Sequence, residues 1–212
     1  IYMLPFFLYT EPEIARRLLM YRYRLLPKAR ERARQLRERG ALYAWNSING
    51  EECGIVFEAS TAEYHINCAI AYAFQRYYRA TGDYAFLRDY GAPVIWETAI
   101  FLSHLGEFIP QRGGAFCINV VCGPDEYACG VDNNAYTNYM ARNHFQFALE
   151  LVRTIEERDP DDVARLQRQS GFNDAEIERI ERAIERIYLP YDEERGITPQ
   201  DDSYLNRNPV DM

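Results

Sequence analysis

Residues 173–187 read Asn-Asp-Ala-Glu-Ile-Glu-Arg-Ile-Glu-Arg-Ala-Ile-Glu-Arg-Ile, and this stretch indicates the fold class. Its isoleucines stand at positions 177, 180, 184 and 187, and spacings of three and four place them on one face of an α-helix. Asn173 is a residue type that caps helix N-termini, and Glu176 stands in the capping-box position. Pro190 ends the pattern. The stretch therefore predicts an amphipathic helix.

Helical periodicity recurs along most of the 212-residue chain, which predicts an all-α protein. The other expected helices cover residues 12–25, 28–38, 61–81, 93–105 and 134–157, and residues 159–169 form a short polar segment. The first of them carries an apolar face made of Ile14, Leu18, Tyr21 and Leu25. Gly40 is expected to end the second helix in a left-handed conformation, and Gly113-Gly114 is expected to turn a hairpin. Because the long helices come in pairs, function is expected in the loops between them, at residues 41–60 and 111–138.

Composition excludes several classes of function. The net charge of −8 argues against nucleic-acid binding, and no apolar run reaches the about 18 residues that span a membrane. Aromatic residues make up 14% of the chain, a fraction that suits carbohydrate surfaces. Five cysteines are an odd number, so we expect buried, unreactive thiols and a cytoplasmic location. Because neither Ile1 nor Met212 shows a feature typical of a chain terminus, the chain is expected to be part of a longer polypeptide.

The most unusual stretch is Cys122-Gly-Pro-Asp-Glu-Tyr-Ala-Cys-Gly-Val-Asp-Asn-Asn-Ala-Tyr-Thr-Asn138. Its Gly-Pro turn holds Asp125 and Glu126 on a fixed backbone, and Tyr127 is expected to shield a carboxyl group from water. Desolvation raises the pKa of a carboxyl group, as a general acid at neutral pH requires. The alternative, which the residues alone favour, is a tight turn that caps a helix at Asp132 or Asn133.

Other chemistry at this stretch is less favoured. The acidic residues lack EF-hand spacing and the cysteines form no CxxC pair, so no metal site is predicted. The side-chain amides of Asn133, Asn134 and Asn138 would offer hydrogen-bond donors and acceptors to a hydroxyl-rich ligand.

A second candidate loop, residues 45–58, mixes aromatic and acidic residues. Trp45 and Phe57 could stack on a sugar face, and Glu58 could accept hydrogen bonds from sugar hydroxyl groups. The alternative is a rim loop with Trp45 packed inward. His65, in the first turns of the next predicted helix, is either a ligand contact or an ordinary histidine at a helix end.

The residues Gly-Pro-Asp-Glu-Tyr at 123–127 and Asp-Asn-Asn-Ala-Tyr-Thr-Asn at 132–138 resemble glycoside hydrolase family 65, which includes inverting disaccharide phosphorylases. Further agreeing stretches are Met3-Leu-Pro-Phe-Phe, Leu19-Met-Tyr-Arg-Tyr-Arg24, Glu63-Tyr-His-Ile-Asn67, Ile70-Ala-Tyr72 and Arg79-Ala-Thr-Gly-Asp83. They occur in order over nearly the whole chain. The resemblance implies that residues 1–212 are part of an (α/α)6-barrel catalytic domain whose irregular or hairpin loops carry the active site.

The resemblance also implies a reaction. Glu126 would be the general acid that protonates the glycosidic oxygen, and inorganic phosphate would be the nucleophile, yielding β-glucose 1-phosphate without a cofactor or metal. The substrate-binding residues would be Trp45, Phe57, Glu58, His65, Asp125, Tyr127 and Asn134. A disaccharide and phosphate would be the partners, and the full-length protein is compatible with a homodimer. Two alternatives stay open: an inverting hydrolase of the acid-trehalase type, and a non-catalytic helical domain that binds sugars or a partner.

The acceptor specificity that the resemblance implies depends on the loop at Cys53–Glu58. Maltose phosphorylases carry a His-Asn-Glu-Trp-like stretch there, whereas this chain has Gly54, Ile55, Val56 and Phe57. Maltose is therefore disfavoured, and kojibiose, nigerose, or a polyol or deoxysugar acceptor is favoured. In the family, the Trp-Asp pair that grips the donor glucose precedes the segment matching Ile1, and the phosphate-binding loop follows the one matching Met212.

Overall fold

The computed structural model describes residues 3–54 and 61–208, and most of them are helical. The helices are α1 (Leu4–Thr10), α2 (Pro12–Arg24), α3 (Leu26–Gln35), α4 (His65–Thr81), α5 (Tyr84–Phe86), α6 (Ala92–Leu105), α7 (Ala135–Arg158), α8 (Pro160–Ser170) and α9 (Asp174–Arg186). A π-helical turn, Leu87–Gly91, joins α5 to α6, and 3-10 turns cover Pro110–Arg112 and Tyr204–Asn206. The strands are β1 (Glu107–Ile109) and β2 (Ala115–Cys117). The all-α prediction is confirmed, although several helix ends differ by a few residues.

Helices α6 and α7 form the centre of the packing. Helix α6 is buried on nearly all sides, as expected of a helix that is apolar all round, and α7 packs against α4, α6, α8 and α9. Trp96 of α6 stacks on Phe172, with ring centroids 5.3 Å apart. Its Nε1 donates a hydrogen bond of 3.0 Å to the carbonyl oxygen of Ala148 on α7. This hydrogen bond links α6 to α7, the helix into which the segment containing Glu126 leads.

The predicted hairpin at Gly113-Gly114 is confirmed. Strands β1 and β2 are antiparallel, with Phe108 opposite Phe116. Gly113 and Gly114 have φ angles of +65° and +76°, which glycine adopts without strain. The hairpin follows the C-terminal end of α6 directly.

The N-terminus of α9 is capped as predicted. The side-chain oxygen of Asn173 accepts the backbone N–H groups of Ala175 and Glu176 at 3.1 and 3.2 Å. Glu176 does not return the contact expected of a capping box. Its buried carboxylate instead binds Arg39 at 2.6 Å and His104 at 2.9 Å. A long-range ion pair has taken the place of the local bond.

The expectation for Gly40 is only half right. Helix α3 ends at Gln35, and Arg37 is the first residue after it with a left-handed φ, at 61°. Gly40 is also left-handed, with φ +75°, but glycine is required there because the backbone passes close to α6. A Cβ at this position would lie 2.2 Å from the carbonyl oxygen of Glu97. That oxygen accepts the N–H of Ala41 at 3.0 Å.

The apolar face predicted for α2 exists, but most of it points away from the described core, and of its members Leu25, directly after the helix, packs against that core. Ile14, Leu18 and Tyr21 are 39%, 48% and 46% exposed, whereas the buried residues of this helix are Ala15 and Leu19. Periodicity therefore identified the face and not its direction. No helix in the described ranges combines the length and apolarity needed to cross a membrane.

Candidate active site

A disulfide bond and a pair of backbone hydrogen bonds close the base of the loop that carries Glu126. Cys122 and Cys129 form a disulfide. Outside this link, Val121 and Val131 exchange both of their backbone hydrogen bonds at 3.0 Å. The loop is therefore short, and its two ends are bonded to each other.

This disulfide contradicts the expectation that all five cysteines are free thiols. Cys68 and Cys117 are free and buried, as expected, and Cys53 is free and half-buried. Cys122 and Cys129 pair because the loop turns back on itself, which places their Cα atoms 4.2 Å apart. The odd total count gave no signal of this pairing.

The same loop is held against the segment that precedes α4 and against the start of α7. The backbone N–H of Cys122 donates to the carbonyl oxygen of Ala62 at 3.1 Å. A Cβ on Gly123 would lie 2.3 Å from the side-chain nitrogen of Asn134, so only glycine fits here without displacing that side chain. The Gly-Pro turn is therefore fixed by two contacts as well as by its own stiffness.

Asn134 is the residue that caps α7. Its side-chain oxygen accepts the backbone N–H and the hydroxyl group of Thr137, both at 3.0 Å, and its side-chain nitrogen donates to the carbonyl oxygen of Gln200 at 3.3 Å. The expected capping turn is present, but the cap is Asn134, not Asp132 or Asn133. Its amide group is used inside the protein, and its predicted contact with substrate stays a prediction.

The side-chain amides of the two neighbouring asparagines, Asn133 and Asn138, also form hydrogen bonds within the protein. Asn133 donates to the carboxylate of Asp202 at 2.8 Å, and Asn138 donates to the carbonyl oxygen of Tyr188 at 2.7 Å. Both side chains are buried. They tie the loop to the C-terminal part of the described chain.

At the tip of the loop, Asp125, Glu126 and Tyr127 are all exposed. Asp125 accepts the N–H of Tyr127 at 3.2 Å and the side-chain amide of Gln200 at 2.8 Å. Tyr127 points fully into solvent, with a relative exposure of 101%. The expectation that Tyr127 shields a carboxyl group from water is therefore wrong.

Glu63, which sequence reasoning did not select, lies beside Glu126. It directly precedes Tyr64 at the N-terminus of α4, and its side chain is 0% exposed. Within the described ranges, neither of its carboxyl oxygens has a fixed hydrogen-bond donor. Burial first, and then the carboxylates of Glu126 and Glu52, raise the pKa of Glu63 to about 8. The one available signal was its position at the start of the Glu63-Tyr-His-Ile-Asn67 stretch.

His65 is the first residue of α4 and is buried next to this carboxyl group. Its Nε2 lies 3.7 Å from a carboxyl oxygen of Glu63, and burial lowers the pKa of His65 to about 4. The imidazole is therefore neutral at neutral pH. Its ring centroid is 5.0 Å from that of Trp45 and 5.5 Å from that of Tyr136. The structure thus brings together Trp45 and His65, which were predicted on separate segments.

The backbone of Trp45 is held by Glu52. The carboxylate of Glu52 accepts the N–H groups of Trp45 and Asn46 at 2.8 and 3.1 Å and forms an ion pair with Arg32 at 2.8 Å. The Trp45 ring is half-buried against the core and faces His65. Trp45 thus packs against the core in part, as the rim-loop alternative expects, and its stacking on a sugar stays a prediction.

Four of the predicted acceptor-side residues, Ile55, Val56, Phe57 and Glu58, lie outside the described residues. Gly54 is described and is half-buried. The roles assigned to all five stay predictions. In the described ranges, no group of three or more His, Cys, Asp or Glu side chains is arranged to hold a metal ion.

Comparison with known proteins identifies the family to which this arrangement belongs. The whole chain, residues 1–212, matches the glycosyl hydrolase family 65 central catalytic domain. The chain is a member of glycosyl hydrolase family 65.

Relatives of this chain in family 65 include several phosphorylases. The chain is 49% identical to an α,α-trehalose phosphorylase of Thermoanaerobacter brockii, over 99% of this chain and 27% of that protein. It is 46% identical to an α,α-trehalose phosphorylase of Geobacillus stearothermophilus, over 100% of this chain and 28% of that protein. It is 35% identical to a kojibiose phosphorylase of Halothermothrix orenii, over 100% of this chain and 29% of that protein. The chain therefore spans less than a third of the length of these relatives.

A solved family 65 structure confirms the fold. That protein, named as a candidate kojibiose phosphorylase from the human microbiome, superposes with a TM-score of 0.90 at 28% identity. The match covers 100% of this chain and 30% of that one. The described helices are thus consistent with a segment of an (α/α)6 barrel, as the sequence predicted.

Proposed function

We propose that this chain is the central part of the catalytic domain of a disaccharide phosphorylase, and that it supplies the general acid of the reaction. The observation that carries the proposal is the anchored loop that presents Glu126 to solvent beside the buried Glu63. An exposed carboxyl group on a fixed backbone can reach a substrate and be held in position to donate a proton to it. The family relatives support phosphorolysis as the reaction.

In the proposed mechanism, the carboxylic acid of Glu126 protonates the glycosidic oxygen while the bond from that oxygen to C1 of glucose breaks. A phosphate oxygen attacks C1 from the opposite face, so the configuration inverts and β-glucose 1-phosphate forms. Because phosphate is itself the nucleophile, one protein carboxyl group is sufficient, and the reaction requires no metal or organic cofactor. Trp45 and His65 would flank the sugar, and Asp125, Tyr127 and Asn134 would line the rest of the site.

The substrate we propose is α,α-trehalose, in place of the kojibiose, nigerose, polyol or deoxysugar acceptor that the sequence of the loop alone favours. Identity to two trehalose phosphorylases is 49% and 46%, against 35% for the kojibiose enzyme. The apolar stretch predicted to contact the acceptor, Gly54 to Phe57, lacks the polar side chains expected of a maltose enzyme. Glucose would then be the acceptor that leaves.

The full-length enzyme tests this proposal directly. It is incubated with trehalose, kojibiose, nigerose or maltose, with and without inorganic phosphate, and β-glucose 1-phosphate is measured by NMR. We expect phosphate-dependent turnover that is fastest for trehalose. Glucose release without phosphate would instead indicate a hydrolase, and sugar binding without turnover would indicate a non-catalytic domain.

We also propose a cytoplasmic location and a homodimeric full-length protein. A phosphorylated sugar is charged and is retained by a cell only if it is made inside, which supports the location. The Cys122–Cys129 disulfide is the observation that opposes it, because such bonds are rare in reducing compartments. Sedimentation of the full-length enzyme measures the oligomeric state, and cell fractionation measures the location.

A further inference from the structure

This inference rests on the proposed role of Glu126 as the acid. We propose that Gln200 is a positioning residue, which holds the tip of the Glu126 loop through Asp125 and so fixes the place from which Glu126 donates its proton. Gln200 does not touch the substrate in this proposal. It acts on the reaction only through the turn that it holds.

The tip of the loop is a tight turn that contains Glu126. The backbone N–H of Ala128 donates to the carbonyl oxygen of Asp125 at 3.0 Å. This hydrogen bond is that of a β-turn, and Glu126 and Tyr127 are its two central residues. Inside the turn, Oδ1 of Asp125 accepts the backbone N–H of Tyr127 at 3.2 Å. The backbone position of Glu126 is therefore tied to the position of Asp125.

The second carboxyl oxygen of Asp125 is bonded from outside the loop. Nε2 of Gln200 donates a hydrogen bond of 2.8 Å to Oδ2 of Asp125, across 75 positions of the chain. The disulfide and the Val121–Val131 hydrogen bonds act at the base of the loop, whereas this bond acts at its tip. It thus connects the turn that contains Glu126 to the C-terminal part of the described chain.

Gln200 is a fixed donor because its main chain is bonded to the start of α7. Its carbonyl oxygen accepts the backbone N–H of Ala135, the first residue of α7, at 2.8 Å. The same oxygen accepts the side-chain nitrogen of Asn134 at 3.3 Å. The side chain of Gln200 therefore extends from a backbone that is held by the N-terminus of a 24-residue helix.

The residues directly after Gln200 are held just as closely. The backbone N–H of Asp202 donates to the carbonyl oxygen of Asp132 at 3.1 Å. The carboxylate of Asp202 accepts the side-chain amide of Asn133 at 2.8 Å and pairs with Arg112 of the hairpin at 2.6 Å. The segment 200–202 is consequently joined both to the residues that lead into α7 and to the β1–β2 hairpin.

The start of the loop depends on the same support. Asn134, whose nitrogen bonds to Gln200, also lies against Gly123, where an added Cβ would be 2.3 Å from that nitrogen. The Gly-Pro turn before Asp125 and the carboxylate of Asp125 are thus both in contact with the Gln200–Asn134 pair. A displacement of the Glu126 turn would have to break the bond to Gln200.

An exposed hydrogen bond of this kind matters for geometry more than for stability. Water replaces the donor when the bond between Gln200 and Asp125 is lost, so the effect on the free energy of unfolding is small. Proton transfer depends on position far more steeply, since a displacement of about 1 Å can lower a rate by about 10²-fold. Loss of the Gln200 amide should therefore lower kcat and leave the unfolding temperature unchanged.

Two substitutions of Gln200 in the full-length enzyme test this role. Gln200→Ala removes the donor and keeps the main-chain bonds to α7, and Gln200→Glu keeps the shape but places a negative charge against Asp125. We expect kcat for disaccharide phosphorolysis to fall about tenfold in Gln200→Ala and at least as far in Gln200→Glu. The KM values for the disaccharide and for phosphate should stay within about twofold of wild type, because Gln200 contacts neither.

Three companion measurements separate positioning from a general loss of structure. Phosphorolysis of α-glucosyl fluoride, whose leaving group needs little protonation, should not change in Gln200→Ala. Gln200→Lys restores a donor to Asp125 and should recover most of the lost kcat. The control Gln169→Ala removes an exposed glutamine of α8, whose side chain contacts only Arg165 among the described residues, at 3.4 Å, and should behave as wild type.

The outcomes are distinguishable. Wild-type kcat in both Gln200→Ala and Gln200→Glu, or an equal loss for the disaccharide and the fluoride, overturns this inference alone. A Gln200→Lys variant that is no faster than Gln200→Ala also overturns it, because the lost activity would then not depend on a donor to Asp125. If Glu126→Gln leaves disaccharide phosphorolysis intact, the proposed acid role fails and this inference fails with it.

Discussion

The backbone N–H of Cys122 donates to the carbonyl oxygen of Ala62 at 3.1 Å, which bonds the base of the Glu126 loop to the residue before Glu63. These two residues are far apart in the chain. Their contact brings a loop that enters α7 and a turn that enters α4 to the same place. The candidate site is therefore assembled at the N-terminal ends of two helices that pack against each other.

Replacing Glu126 by Gln in the full-length enzyme is expected to lower disaccharide phosphorolysis by about 10²- to 10⁴-fold, the contribution of a general acid. The substitution removes the proton and keeps the shape. The measurement is kcat with trehalose and phosphate. Phosphorolysis of α-glucosyl fluoride should fall much less, and equal losses for the two substrates would exclude the acid role.

Exchange of Gly54, Ile55, Val56 and Phe57 for His-Asn-Glu-Trp is expected to change acceptor preference while the donor remains glucose. Polar side chains would add hydrogen bonds to acceptor hydroxyl groups, and one such bond can discriminate by orders of magnitude. The measurement is the rate of reverse phosphorolysis from β-glucose 1-phosphate with a panel of acceptors. Unchanged acceptor ratios would show that specificity is determined elsewhere.

Reduction of the Cys122–Cys129 disulfide by a dithiol is expected to slow turnover, by up to about tenfold, because the Glu126 loop loses its covalent closure. In the chain-entropy description, closing a loop of this length is worth about 2 kcal/mol. The measurement is kcat before and after treatment, with the pairing verified by peptide mass spectrometry.

The half-buried free thiol of Cys53 provides the matched control for that experiment. Cys53→Ser should keep the response to the dithiol. The double variant Cys122→Ser/Cys129→Ser should be slow from the start and should not respond further. An untreated enzyme whose peptides show two free thiols at these positions would contradict the prediction.

Gly40→Ala is expected to destabilise the protein by about 3 kcal/mol or more, since the new Cβ would collide with the backbone of α6 in addition to straining φ. Gly171→Ala is the control: its φ is +71°, yet no atom lies within 4 Å of the added carbon. It should cost only about 1 kcal/mol. The measurement is the temperature of thermal unfolding of each variant. Equal decreases in the unfolding temperature of the two variants would show that the contact with Glu97 does not determine the loss of stability.

The helices could be predicted from sequence because their evidence is local. The isoleucine spacing after Asn173 and the left-handed Gly82 at the end of α4 are features of neighbouring residues. The direction of a helix face is not local. Ile14 and Leu18 share a face as predicted, but whether that face is buried depends on which elements pack against it.

The site was predictable only in part for the same reason. Glu126 stands in an unusual turn that is visible in the sequence, whereas Glu63 becomes a candidate only because tertiary structure buries it beside Glu126. The disulfide was missed because Cys122 and Cys129 meet through the path of the loop. The prediction for Tyr127 is wrong because a residue next to Glu126 in the sequence does not have to cover it. The side chain of Tyr127 points outward into solvent.

The anchors on either side of the acceptor segment have a consequence for how such an enzyme changes over evolution. On one side, Glu52 is tied to Arg32 and to two backbone amides. On the other, Ala62 is tied to the base of the Glu126 loop. Substitutions between these anchors leave both anchors in place, so under the proposed roles the choice of acceptor sugar and the acid chemistry of Glu126 depend on separate parts of the chain. Under those roles, a change of acceptor would need few substitutions and would leave the position of Glu126 unchanged.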